Sequence, residues 1–228
     1  MHFSGFPREG LQFLNELAVN NNKEWFEANR YRYENTILQP NQAYVEEMGE
    51  HLQILVPTIH ATPKTNHSLF RIYRDARLHP AEPIKTRIGI ICWQGSGHRM
   101  QSSSFYMHYD TEEIFIATGI RTFKPSLLAT YREYIQDEER RRDLHGILET
   151  LKAKGYRLPE TKYKRMPRGC SVSDIHSDLY LMGALYAYTT FPIDDTFHSE
   201  SIIDRNFGIY EEMSELQQWV YRLTLYAH

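Results

Sequence analysis

Apolar residues recur at helical spacing in the first and last thirds of this chain and alternate at strand spacing between them. Leu11, Leu14, Leu17 and Ala18 mark a first helix, with Pro7 as its first helical residue. The run Asn20-Asn21-Asn22 offers one cap to end that helix and another to open the next, and Asn21 with Glu24 has capping-box spacing. Trp25, Phe26, Tyr33 and Ile37 outline a second helix. Pro40 interrupts it or opens a third, whose stripe is Tyr44, Met48, Leu52 and Leu55. Pro57 and Pro63 close this section.

Four short segments rich in β-branched and aromatic residues follow: Ser68 to Asp75, Thr86 to Trp93, Ser102 to Tyr109 and Glu113 to Gly119. Gly95-Ser96-Gly97 and Asp110-Thr111-Glu112 read as hairpin connections, which predicts an antiparallel meander for the last three. Ile114 and Ile116 then face opposite to Phe115 and Ala117. Helices resume at Pro125, with Leu128, Tyr131 and Ile135 on one face. The charged run Asp137 to Arg142 joins this helix to one carrying Leu144, Ile147, Leu148 and Leu151, which Gly155 caps. Tyr156 to Ser173 is basic and rich in Pro and Gly, and Leu179 to Phe191 is an apolar block. A final helix from Asp204 buries Met213, Leu216, Trp219, Val220 and Leu223. No repeat or low-complexity linker divides the chain. The pattern predicts one α+β domain over residues 1–228, helices packed on a mainly antiparallel sheet. Its sections are helical (7–56), sheet (68–119) and helical (125–226).

Composition changes this picture little. Sixteen Tyr suit half-buried positions on sheets and groove walls, where an apolar ring ends in a polar tip. A net charge of −3 argues against a surface coated in positive charge for indiscriminate nucleic-acid binding. Cys92 and Cys170 are distant in sequence and form no C-x-x-C, as expected of reduced thiols in the cytoplasm. No signal peptide is expected from the first ten residues, and no stretch approaches the ~20 apolar residues that span a membrane.

The densest polar cluster is Arg71-Ile72-Tyr73-Arg74-Asp75-Ala76-Arg77, followed by Lys85 and Arg87. In a strand, alternation puts Arg71, Tyr73 and Asp75 on one face and Arg74 beside Phe70 and Ile72 on the other, which should be the buried one. Breaking a buried ion pair by removing its partner costs ~3–5 kcal/mol, so a buried Arg74 needs an internal carboxylate or a bound anion. Two readings follow. One is an internal salt-bridge network that includes Asp75. The other is a cleft in which guanidinium forks grip phosphate or carboxylate.

At this motif the chain resembles an uncharacterised bacterial family, also found in fungi, marked by R-x-x-R-D-x-R-F and then an acidic or Asn residue, Lys and Tyr. Arg71, Arg74, Asp75 and Arg77 match position by position. The resemblance extends through Phe13-Leu14, the Asn-rich turn, Glu24-Trp25-Phe26, Gly119 ahead of Pro125, and Lys164 to Gly169. Leu78 stands where the motif has Phe, the acidic–Lys pair is missing, and Ile84 occupies a position where Tyr is usual. If the missing groups carry chemistry, this member binds without turning over. The resemblance implies a fold and a candidate site, not an activity.

Other constellations carry less. His98 and His108, and the run Asp174 to Asp178, match no metal-ligand spacing, and the latter reads as a helix-capping turn. Cys170 follows a basic turn but has no assignable partner. Gly95 to His98 lacks the ending of a phosphate-binding loop, and no dinucleotide fingerprint or nucleophile elbow occurs, so neither metal nor cofactor is expected. Lys162, Lys164, Arg165 and Arg168, with Tyr163 interleaved, form a second basic cluster that suits a solvated loop or a nucleic-acid backbone.

Three readings of function therefore stand. The first is a binding protein or enzyme for a small phosphorylated or carboxylated molecule, held by Arg71, Tyr73, Arg74, Arg77, Lys85 and Arg87, with Asp75 as the candidate base. The second is a nucleic-acid-associated protein that adds the Lys162–Arg168 cluster. The third is a non-catalytic interaction scaffold. No membrane partner is expected, and the oligomeric state stays open.

Overall fold

The computed structural model describes residues 2–75 and 77–226. Helices α1 (Arg8–Val19), α2 (Lys23–Ala28), α3 (Arg30–Tyr33) and α4 (Gln39–Leu55) come first, with a π-helical turn at Glu34–Leu38 between the last two. Strands β1 (Ile59–His60), β2 (Ile88–Gln94), β3 (Ser103–Tyr109) and β4 (Glu113–Ile120) follow. Helices α5 (Pro125–Tyr134) and α6 (Glu138–Ala153) precede β5 (Leu185–Pro192), and α7 (Ser201–Glu212) and α8 (Ser214–Tyr226) complete the order. The sheet is antiparallel and runs β1-β2-β3-β4-β5, so the α+β class holds. The expected meander is present as β2, β3 and β4. Its second turn is an Asx turn, in which Asp110 Oδ1 accepts from the Glu112 and Glu113 amides at 3.0 and 3.1 Å.

The chain forms two compact units. One comprises Met1–Cys92, Tyr106–Ile116 and Thr190–Ile209, the other Trp93–Phe105, Ala117–Thr189 and Tyr210–His228. The first has an aromatic core in which Phe6 stacks on Phe197 at 4.7 Å and contacts Tyr44 and Tyr109 at 5.3 and 5.1 Å. Two buried asparagines hold its tyrosines. Asn41 Nδ2 donates to Tyr109 Oη at 2.7 Å, and Asn206 Nδ2 donates to Tyr44 Oη at 2.8 Å. The π-helical turn has a cause in sequence, because Pro40 has no amide proton to give the Thr36 carbonyl. Gly10 of α1 sits against that carbonyl, where a Cβ would come within 2.6 Å of it.

In the second unit α8 packs against α5 and α6. Trp219 meets Tyr134 edge to face at 5.4 Å, and Leu144, Leu151, Val220 and Leu223 fill the remainder. Asp137 caps α6 by accepting from the Arg140 amide. Gly119 has φ +124° and lies against β5, where a Cβ would stand 2.2 Å from the Leu185 carbonyl oxygen.

Several elements differ from their sequence patterns. Pro7 is the N-cap of α1 rather than its first residue, and the buried stripe passes through Phe13, Leu14 and Leu17 while Ala18 is exposed. Asn22, not Asn21, caps α2 by accepting from the Trp25 amide at 2.9 Å. The final helix is two helices. Residues Ile202, Ile203 and Ile209 belong to the first core and Leu216, Trp219, Val220 and Leu223 to the second, so a break at Met213 lets each half bury its own stripe.

Candidate functional site

The segment from Ser68 to Asp75 was expected as a regular strand, and it is instead an irregular one. It runs antiparallel to Pro83–Ile91, with Ile91 N donating to Ser68 O at 2.9 Å and Phe70 N to Gly89 O at 3.1 Å. Further on, Lys85 N donates to Ile72 O and Arg74 N to Pro83 O, both at 2.8 Å. The bridges Leu69–Ile90 and Tyr73–Ile84 are out of register by two residues, and that bulge prevents a continuous strand. It also breaks the simple alternation of faces. Ile72 and Ile84 are buried at 6% and 0% exposure, whereas Arg74 is half-buried and reaches Glu82 at 3.1 Å.

The cations of the motif therefore sit at the surface of the first unit with acids of the same unit. Arg77 grips Asp75 with two nitrogens, at 3.0 and 2.7 Å, and its amide donates to the same carboxylate. These bonds hold the Asp75 carboxyl below its ordinary range. Arg87 pairs with Asp110 at 3.2 Å. Lys85 donates from Nζ to the Arg71 carbonyl at 2.8 Å and lies 6.0 Å from the centre of the Phe70 ring. Arg71 is exposed, and among the described residues its guanidinium has no hydrogen-bond partner; its charge acts on Asp75.

Two contacts fix the motif to the N-terminal helices, and neither partner was identified from sequence. Asn21 Nδ2 donates to Ile84 O at 2.8 Å while Ile84 N donates to Asn21 Oδ1 at 3.0 Å, so one side-chain amide serves as a one-residue strand. Tyr73 Oη donates to Glu27 at 2.9 Å, and Arg30 grips the same carboxylate at 2.7 and 2.8 Å. Phe26 meets the Tyr73 ring edge to face at 5.5 Å. The Arg30 and Tyr73 hydrogen bonds bring the Glu27 carboxyl down to about 2. The three-residue spacing of Glu27 and Arg30 was legible in the sequence. Their meeting with Tyr73 needs the fold.

The sequence-predicted site residues divide between the units. Arg71, Tyr73, Arg74, Asp75, Arg77, Lys85 and Arg87 come together on one hairpin of the first. Lys162, Lys164, Arg165 and Arg168 belong to the second, where the amides of Lys162 and Tyr163 both donate to Leu181 O at 3.0 Å. Arg132 lies 4.5 Å over the Tyr163 ring. Here too is the buried arginine, and it is Arg141 rather than a motif residue. At 3% exposure it donates to the carbonyls of Ile135, Gln136 and Ile175 and to Tyr180 Oη. Position in the charged run of α6 gave no sign of that burial. His98 lies in the β2–β3 connection, not on a strand, and its Nδ1 accepts from the Met100 amide. Among the described residues no three His, Cys, Asp or Glu side chains group so as to hold a metal ion.

The profile of the family described as conserved hypothetical protein (DUF2461) matches residues 9–219. The chain belongs to that family. The match spans both units, including the motif hairpin and the Lys162–Arg168 cluster. A search of curated proteins returns no match.

Proposed function

We propose that the Arg71–Arg87 hairpin is a binding site for a small phosphorylated or carboxylated molecule. The observation that carries this reading is Arg71, an exposed guanidinium with no hydrogen-bond partner among the described residues, on a segment otherwise tied down at every turn. Lys85 adds a cation whose nitrogen is already fixed beside the Arg71 backbone. The planar guanidinium fork can take an oxyanion in a bidentate grip. Arg74, Arg77 and Arg87 are committed to Glu82, Asp75 and Asp110, so they shape the local field and Arg71 supplies the grip. The pairs of Arg74 and Arg77 with Glu82 and Asp75 also suit the salt-bridge reading of the motif, and Arg71 is the guanidinium they leave over. Free thiols at Cys92 and Cys170 support a reducing, cytoplasmic setting.

Thermal denaturation with inorganic phosphate, pyrophosphate and citrate tests this. At a ligand concentration one hundred times Kd, binding to the native state stabilises by about 2.7 kcal/mol. The expected result is a raised Tm with at least one of these anions, lost in Arg71→Ala, whose own Tm without anion stays close to wild type. An equal rise in wild type and Arg71→Ala, or none in either, would overturn the proposal.

A further inference from the structure

In the second unit His145, on α6, and His176, at the start of the Ser177–Leu181 turn, stack ring on ring. Their centroids are 3.5 Å apart and their planes 12° from parallel. His176 holds this position with φ +54°, a left-handed conformation that non-glycine residues adopt at a cost. The turn before it is fastened to the same face. Arg141 Nε donates to Ile175 O at 2.7 Å, Tyr180 Oη donates to Asp174 at 3.2 Å, and Ser177 Oγ donates to Val172 O at 3.2 Å. The basic stretch Lys162–Arg168 leads directly into this turn, and the Cys170 amide donates back to Pro167 O.

We propose that the His145–His176 stack is a pH-sensitive latch. At neutral pH it holds the Cys170–His176 turn against α6; on acidification it lets go. Two neutral rings, or one neutral and one charged, stack favourably, whereas two imidazolium ions at this separation repel. The groups acting on the stack are mixed in sign. Asp178 favours a charge on His176 while Arg141 and Arg142 oppose one, and Glu149, one turn further along α6, interacts with both rings. In agreement, His176 is held below its ordinary value, first by burial and then by the charge of His145. A histidine with a lowered folded-state value stabilises above its unfolded value and stops doing so as pH falls through the folded one. The latch therefore opens on the acid side of the ordinary histidine range.

Backbone hydrogen exchange of the full chain over residues 170–176, at about pH 7.5 and about pH 5.5 and corrected for the intrinsic rate, reads the latch directly. Protection is expected to fall about tenfold on acidification, which corresponds to an opening free energy lower by about 1.4 kcal/mol. His145→Ala should give the low protection at both pH values. His176→Asn, which keeps a residue tolerant of the left-handed backbone, should do the same. Protection in wild type that does not change with pH would sink the proposal even if a variant fails to fold. So would variants with unchanged protection and pH dependence.

Discussion

Glu27 is the residue on which the motif's attachment to the helices turns. It accepts from Tyr73 and is gripped by Arg30, and its carboxyl is brought down to about 2. A carboxyl with a lowered folded-state value stabilises above its ordinary range, and that contribution fades as pH falls toward the folded value. Urea unfolding at pH 6 and at pH 3 should therefore show Arg30→Met less stable than wild type at the higher pH, with the gap narrowing at the lower. A gap independent of pH would mean that the loss is packing over Phe26 and not charge. Since these groups are exposed, the effect belongs with surface ion pairs and is small. The buried counterpart is Arg141, whose partners are carbonyls and a hydroxyl rather than carboxylates. Three carbonyls and a hydroxyl take up its Nε and Nη1 donors, and the guanidinium also lies 5.3 Å over the Tyr180 ring, whose face favours a cation.

Among elements, the β4–β5 pair depends most sharply on one position. Gly119 has a backbone angle that side chains avoid, and a Cβ there would meet the Leu185 carbonyl at 2.2 Å. Gly119→Ala should cost about 3 kcal/mol or more, through overpacking and strain together, and lower Tm accordingly. A smaller change would show that β5 can shift outward without losing its pairing. The motif hairpin illustrates the opposite case, an element held by tertiary contacts more than by its own ladder. The two-residue offset between its bridges leaves gaps that Asn21, Glu27 and Lys85 fill. Those partners lie as many as 63 residues away, so no local pattern announces them.

At the scale of the molecule, neither unit is a continuous piece of chain. The first needs Thr190–Ile209 and the second needs Tyr210–His228. A fragment ending at residue 189 lacks both the buried Ile202, Ile203 and Ile209 and the buried Trp219, Val220 and Leu223. It should lose near-ultraviolet circular dichroism and a cooperative thermal transition. Retention of either would mean that one core closes without its C-terminal helix. This interlacing also bears on reading the sequence, since helices α7 and α8 carry one uninterrupted apolar rhythm while serving two cores.

The sequence alone determined what depends on neighbours along the chain. Helical and strand periods, the turn at Asp110 and the start of α5 at Pro125 follow from side-chain shape and backbone chemistry within a few residues, and they sufficed for the α+β class. So did the choice of motif residues, because clustered arginines are visible wherever they fold. What the tertiary structure decided is which charges meet. Arg74 finds a surface acid, Tyr73 finds Glu27, Arg71 finds no hydrogen-bond partner among the described residues, and the arginine that is buried lies in α6. Hydrogen bonds and desolvation act over a few ångströms of space, and chain separation says nothing about them until the fold has set those distances.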